Sequence, residues 1–187
     1  VLMQSVFQGL KVLDVGSWIA GPVAATIMAD YGAEVIKIEM PGVGDQYRLL
    51  SETPGVPDAD HNSCWQMDVR NKRSLKLNLK RAEGIAILRQ LVEASDVYIT
   101  NQPLPMRRAL GLNYEDIQAI NPAIIYASLT AYGEKGPDRD GEGFDLVAYW
   151  ARSGLMDLVR DATPQPALPR PGMAGPPTQA ALSASLV

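Results

Sequence analysis

Near the N-terminus, apolar residues form two short runs with a longer periodic segment between them. Residues 10–15 (LKVLDV) make a brief, branched run that a glycine ends, and residues 35–38 (VIKI) make the second run. The intervening segment VAATIMADYG follows Gly21 and Pro22, has helical periodicity and ends at Gly32, a usual helix-terminating position. A strand, a helix and a strand within ~30 residues predict a right-handed crossover between parallel strands.

The alternation of strand and helix patterns continues along the chain. Residues 74–80 (SLKLNLK) alternate strictly between polar residues and leucines, which predicts a strand with one polar face. The segments AEGIAILRQLVEA and YEDIQAIN have helical patterns, whereas DVYIT and AIIYASLTAYG are typical of buried strands. These patterns predict an α/β protein with a Rossmann-like, doubly wound and mainly parallel sheet.

The pattern changes after Gly133. A glycine-rich charged loop (EKGPDRDGEGFD) precedes a helical pattern (FDLVAYWARSGLM), which is followed by the proline-rich segment DATPQPALPRPGMAGPP. We therefore expect residues 1–155 to form the first part of a large Rossmann-like domain, and residues 156–187 to form a connector and the start of a further helix. That helix pattern, TQAALSASLV, is apolar and uncapped, which predicts either a fragment or a subunit completed by another chain.

Composition and charge narrow the class of protein. The 187 residues are 47% hydrophobic, enough for one buried core. No window contains 18 successive apolar residues, and the N-terminus lacks the features of a secretory signal, so we expect a soluble cytoplasmic protein with no membrane partner. The net charge of -4 argues against a general nucleic-acid binder.

Two residue types occur only once. Because Cys64 is the only cysteine, an internal disulfide and a paired-cysteine metal site are excluded within these residues, and a buried structural role is favoured. Because His61 is the only histidine, Ser-His-Asp, Cys-His and multi-histidine zinc arrangements are excluded as well. We therefore expect no metal site.

Ligands of doubly wound sheets bind where the carboxyl ends of the strands meet. The loops predicted there are GSWIAGP, EMPGVGDQYR, TNQPLPMRR and AYGEKGPDRDGEGFD. The first loop lacks G-x-G-x-x-G, so a pyrophosphate is not expected to lie against it as in NAD enzymes, although a helix start near Gly21 offers backbone N–H groups.

Basic residues near these loops have two interpretations. They are either solvated positions that maintain solubility, or they converge on a ligand with several phosphates. The residues concerned are Arg70, Lys72, Arg73, Lys76, Lys80, Arg107 and Arg108.

Six ordered motifs resemble one family of enzymes. They are GLKVLDVGSWIAGP, ADYGAEVIKIEMPGVGD, NKRSLKLNLK, NPAIIYASLTAYGEKGP, GFDLVAYWARSG and PRPGM. From about Gly9 onward, the chain resembles the family III CoA-transferases (the CaiB/BaiF family). That family includes formyl-CoA, carnitine and 2-hydroxyacyl CoA-transferases and alpha-methylacyl-CoA racemase. The resemblance implies the N-terminal half of an interlocked-dimer fold whose small domain lies outside this chain.

The resemblance also implies a ligand, coenzyme A, and a set of contacts. Trp18 has two interpretations, as an apolar wall beside the thiol arm or as a core residue. Met40 stands where the family often has arginine, so Arg48 is the nearest substitute, and the guanidinium of the NFxPGxxxRLG segment moves to Arg108. The implied CoA-binding residues are Ser17, Trp18, Ile19, Ala20, Met40, Arg48, Leu77, Lys80, Asn101 and Arg108.

The implied reaction moves CoA between an acyl-CoA and a carboxylic acid through an aspartyl anhydride, with no permanently bound cofactor. Gly175 stands at the position of the nucleophilic aspartate, so this chain is either altered, truncated or inactive. Asp145 matches the catalytic aspartate of the racemase branch, but it also suits a helix N-cap, and His61 lies outside the matching motif. The alternatives are a racemase or epimerase that uses Asp145, and a non-catalytic CoA-binding partner subunit. We expect a homodimer or a complex with another chain.

Overall fold

A parallel five-stranded sheet forms the centre of the computed structural model, which describes residues 5–52 and 60–158. The strand order is β3-β2-β1-β4-β5, and every neighbouring pair is parallel. The order reverses between β1 and β4, which confirms the predicted Rossmann-like, doubly wound sheet. The strands are β1 (Lys11–Asp14), β2 (Glu34–Glu39), β3 (Arg73–Lys76), β4 (Val97–Thr100) and β5 (Ile125–Ser128).

Helices connect these strands. The α-helices are α1 (Ala20–Asp30), α2 (Ser63–Val69), α3 (Ala82–Glu93), α4 (Leu104–Leu110), α5 (Tyr114–Gln118) and α6 (Leu155–Leu158). A 3-10 helix spans Gln46–Glu52, and a π-helical turn spans Leu146–Ala151. None of the helices in the two described ranges is long and apolar enough to cross a membrane.

Two short helices replace segments that the sequence pattern presents as loops. The Asn62 side chain caps α2 by accepting a hydrogen bond of 2.9 Å from the Trp65 N–H. α4 starts directly after Pro103 and ends at Gly111, whose φ of 63° suits glycine. Each helix has only seven residues, so its caps matter more than any periodicity.

Two strands are shorter than predicted. β3 pairs with β2 only as far as Lys76, because its partner β2 ends at Glu39. β5 stops at Ser128 for the same reason, opposite Thr100 at the end of β4. The leucine alternation of residues 74–80 is nevertheless real, since the leucines at 75, 77 and 79 all pack against one apolar cluster.

Side chains alternate across the sheet and bury both of its faces. On one face, Val12 and Ile99 pack against α1, whose Met28 is fully buried. On the other face, Leu13 packs in one cluster with Leu88 of α3 and Ile117 of α5. Because all five strands run parallel, their carboxyl ends lie at one edge of the sheet, where the loops that follow them converge.

The predicted boundary between residues 155 and 156 falls at the start of α6, which ends at Leu158. The rest of the predicted connector, residues 159–187 with Gly175, lies outside the described residues.

Candidate functional site

The turn that follows β1 has its backbone N–H groups bonded to side chains. Gly16 N–H donates to Asp14 Oδ1 over 3.1 Å, and Trp18 N–H donates to Asp45 Oδ1 over 3.1 Å. Ser17 N–H donates to Asn101 Oδ1 over 2.8 Å. The N–H groups of residues 16–18 are therefore already bonded within the protein, and two of the acceptors are carboxylates.

Ser17 and Asn101 lie together although 84 residues separate them. Asn101 follows β4, and its Nδ2 donates to the Ser17 carbonyl over 2.8 Å while its Oδ1 accepts from the Ser17 N–H. The two reciprocal bonds join the ends of β1 and β4, the strands between which the sheet order reverses. The structure thus brings two predicted CoA-binding residues to the usual ligand position of this fold.

Trp18 projects from this turn with an unusual backbone conformation. Its φ of 61° lies in the left-handed region, which non-glycine residues seldom adopt. The indole is half-buried between Tyr47, at 6.1 Å between ring centroids, and Phe144, at 5.6 Å. It therefore forms an aromatic wall at the strand ends and is not part of the two core clusters.

Arg48 is held by Glu39, the last residue of β2. Its Nε and Nη2 each donate to a different Glu39 oxygen over 2.7 Å, and its guanidinium lies 4.0 Å from the Trp65 ring centroid. Burial would raise the pKa of Glu39, but hydrogen bonds from Arg48 and Ser74 outweigh it and lower this pKa to about 2. Arg48 is therefore oriented at the site, with much of its charge already neutralised.

A buried network of charges lies beneath the turn. Lys37 Nζ is 2.9 Å from Asp45 Oδ2 and 3.7 Å from Asp14 Oδ2, and Lys72 Nζ is 2.8 Å from Asp14 Oδ2. Burial would raise the pKa of Asp14, but the two ammonium groups hold it below its usual value. Burial would likewise lower the pKa of Lys37, but Asp14 and Asp45 raise it.

The sequence analysis did not single out Asp14, Lys37 or Asp45. A signal was nevertheless present for two of them, because Asp14 and Lys37 interrupt short apolar runs that were predicted to be buried strands. A charged residue within such a run must be paired or hydrogen-bonded when it is buried.

The predicted basic cluster does not converge on one point. Lys72 is buried against Asp14 and is unavailable to an external phosphate. Arg70 pairs with Asp30 and Arg73 with Glu34, while Lys76 donates to the Gly42 carbonyl. Of the five basic residues at positions 70–80, only Lys80 has a side chain without a partner in the described part of the chain, and it is exposed.

The remaining implied CoA contacts differ in exposure. Ile19 and Ala20 are half-buried at the start of α1, and Met40 is exposed directly after β2. Leu77 is buried in the core and offers little side-chain surface, although its N–H donates to the Glu39 carbonyl over 2.9 Å.

Arg107 lies inside the protein near the end of β5, whereas its neighbour Arg108, an implied CoA contact, lies on the surface. Arg107 donates to Ser128 Oγ over 2.8 Å and to Glu134 Oε1 over 2.9 Å, whereas Arg108 is exposed and pairs with Asp140. Leu104 and Arg107 are both buried and lie three residues apart on α4, so they share one face of the helix. This spacing could have indicated that the Arg107 side chain lies on the buried face.

Asp145 is half-buried at the start of the π-helical turn, and its side chain makes no capping hydrogen bond. Its neighbour Phe144 contacts Trp18, which brings this segment toward the turn after β1. His61 lies exposed just before α2. Within residues 5–52 and 60–158, no cluster of His, Cys, Asp and Glu side chains could hold a metal ion.

Two curated relatives of similar sequence are named as CoA-transferases. The chain is 37% identical over 161 residues to (R)-2-hydroxy-4-methylpentanoate CoA-transferase of Clostridioides difficile, covering 86% of this chain and 40% of that protein. It is 42% identical over 168 residues to the succinyl-CoA:glutarate CoA-transferase of Homo sapiens, covering 89% and 37%. The structure of a CaiB/BaiF family protein from Brucella suis superposes with a TM-score of 0.80 at 30% identity, covering 98% of this chain and 50% of that one.

The chain spans about two fifths of the length of these curated relatives. Residues 7–185, nearly all of its length, match the profile of CoA-transferase family III. The chain therefore belongs to CoA-transferase family III.

Proposed function

We propose that this protein binds acyl-CoA and takes part in the transfer of CoA to a carboxylic acid. The observation that carries the proposal is the turn at residues 16–18, whose N–H groups are all bonded to side chains. Such a turn favours an uncharged part of a ligand over a phosphate. CoA has a long uncharged pantetheine arm, and family membership supports CoA as that ligand.

The transfer chemistry needs a nucleophilic carboxylate. The carboxylate attacks the thioester carbonyl, forms a mixed anhydride and releases CoA as its thiolate. The thiolate then attacks the enzyme carbonyl of the anhydride, so that the first acid leaves and an enzyme–CoA thioester forms. The incoming carboxylic acid reverses these steps: its carboxylate displaces the thiolate to give a new anhydride, and the thiolate attacks the new acyl carbonyl, which releases the new acyl-CoA and the free enzyme carboxylate. The resemblance puts this carboxylate at Gly175, which has no side chain and lies outside the described residues. The described residues therefore support CoA binding, and the catalytic carboxylate has to come from another position or another chain.

A non-catalytic CoA-binding partner subunit is the second candidate function. Gly175 favours it, because a subunit that only binds CoA needs no carboxylate at that position. In that arrangement a different chain, with a carboxylate at the corresponding position, supplies the catalytic group.

A racemase or epimerase is the third candidate, and the contact of 5.6 Å between the rings of Phe144 and Trp18 favours it. That contact brings Asp145 toward the turn, where its carboxylate would remove the proton alpha to a thioester.

Calorimetric titration of the protein with CoA and, separately, with NAD tests the binding step. We expect CoA to bind and NAD not to bind. The Asn101→Ala variant should bind CoA about tenfold more weakly, because it loses both hydrogen bonds to Ser17. Asn121→Ala is the matched control, since the Asn121 side chain likewise makes hydrogen bonds to the backbone, donating to the Val92 and Ser95 carbonyls, but lies away from this site. Equal binding of NAD and CoA would contradict the proposal.

Mass spectrometry after incubation with acyl-CoA and hydroxylamine separates the three functions. An aspartyl hydroxamate supports the transferase, whereas retained CoA binding without an adduct supports the partner subunit. Exchange of deuterium from solvent into the alpha position supports the racemase. In the Gly175→Asp variant, supplied with the remainder of the family fold, transfer activity should appear; its absence would refute the assigned nucleophile position.

A further inference from the structure

We infer that Asp45, held by Lys37, is a positioning residue that shapes the turn after β1 for the uncharged pantetheine arm of CoA. The inference rests on the proposed CoA-binding function and adds to it the residue pair that determines which part of CoA this turn accepts.

Asp45 holds the turn through one carboxylate oxygen and its backbone N–H, while the other oxygen faces Lys37. Its Oδ1 accepts the Trp18 N–H over 3.1 Å and the Tyr47 N–H over 3.0 Å, so one oxygen connects the two residues whose rings pack together. Its own N–H donates to Glu39 Oε2 over 3.0 Å, which ties it to the end of β2. Asp45 thereby fixes the Trp18 backbone, which has the uncommon φ of 61°.

Lys37 holds Asp45 from below. The Lys37 ammonium lies 2.9 Å from Asp45 Oδ2 and donates to the Gly16 carbonyl over 3.0 Å. Both side chains of this pair are at least 98% buried, so water does not weaken the interaction. The first and last residues of the turn are therefore attached to the same ion pair.

This geometry has a consequence for the ligand. The carboxylate of Asp45 accepts a hydrogen bond from the N–H group of Trp18, so that N–H is not available to donate to a phosphate. It also presents the Trp18 indole as a fixed half-buried wall, a suitable surface for an uncharged chain. The adenosine and its phosphates then bind elsewhere, independently of Asp45.

The test compares CoA with adenosine 3′-phosphate 5′-diphosphate, which has the phosphates of CoA but lacks the pantetheine. The dissociation constant of the nucleotide fragment divided by that of CoA measures how much the pantetheine arm contributes to the affinity. In Asp45→Ala we expect this ratio to fall about tenfold, while the affinity for the nucleotide fragment stays within about twofold of wild type. Glu34→Gln, which removes an exposed carboxylate at the opposite end of β2, is the matched control and should leave the ratio unchanged.

An unchanged ratio in an Asp45→Ala variant that melts at the wild-type temperature would overturn the inference, whether both affinities are retained or both fall equally. If Asp45→Ala fails to fold, Asp45→Asn decides. Its amide group must face either the Lys37 ammonium or the Trp18 N–H, so the ratio should fall about threefold, and an unchanged ratio rejects the inference. Absence of CoA binding in the wild-type protein would instead refute the proposed function.

Discussion

At the scale of single residues, the ends of the strands are held together by buried charged side chains. Glu39 is the clearest case, because its carboxylate accepts hydrogen bonds from Arg48, Ser74 and the Asp45 N–H. The pair of Glu39 and Arg48 orients one implied CoA contact, and Asp45 orients another at Trp18. The ends of the strands are therefore held in place by the carboxylates of Glu39 and Asp45.

The pH dependence of stability tests the role of Glu39. Its pKa falls from 4.5 to about 2 on folding, so its contribution is complete above pH 4.5 and is lost as the pH falls toward 2. We expect Glu39→Gln to be less stable than wild type at neutral pH by about 3 kcal/mol. The deficit should shrink as the pH falls through this window, as measured by urea denaturation.

Glu93→Gln is the control for this experiment, because Glu93 is exposed on α3. Its stability difference from wild type should stay near zero at every pH. A Glu39→Gln deficit that is constant across the same range would show that ionisation of Glu39 is not the cause.

At the scale of secondary-structure elements, the close approach of α3 to the loop after β3 positions Leu77 and Lys80. Gly84 lies in the first turn of α3, where a Cβ atom would be 2.1 Å from the Asn78 carbonyl oxygen. Backbone atoms cannot move aside as a flexible side chain can. Only glycine therefore allows the helix to pack this closely against the loop.

Gly84→Ala should destabilise the protein by about 1 to 3 kcal/mol, because the helix must shift away from the loop. Thermal or urea denaturation measures this effect. Gly21→Ala is the matched control, since a Cβ there would meet its nearest neighbour at an ordinary 3.5 Å. That control should be unchanged or more stable by up to about 1 kcal/mol, and equal losses in the two variants would contradict this account of Gly84.

At the scale of the whole molecule, apolar side chains are exposed in the last described segment. Phe144, Leu146, Val147, Tyr149 and Leu158 are all on the surface of this chain. The chain also spans only about half of the structural relative from Brucella suis. An exposed apolar segment of this kind is typical of a contact surface, which agrees with the proposed homodimer or complex.

Analytical ultracentrifugation tests this at several protein concentrations. We expect concentration-dependent association of the chain, and replacement of Leu146 and Val147 by serine should weaken it about tenfold or more. Val6→Ser, which alters an exposed apolar residue near the N-terminus, should have no effect. A wild-type chain that remains monomeric at all concentrations would contradict the prediction.

The sequence by itself determined the class of fold, because alternating strand and helix periods are local properties of the chain. It also indicated the turn after β1 and, by resemblance, Ser17 and Asn101. The ends of β3 and β5 could be located only in the structure, because a strand ends where its hydrogen-bonded partner ends. The caps of α2 and α4 were likewise found only in the structure.

Only the tertiary structure decided how the site is held together. Asn101 bonds to Ser17 across 84 residues, and Asp45 reaches Trp18 because β1 and β2 lie side by side. These are long-range contacts set by strand order, which no local pattern of residues encodes.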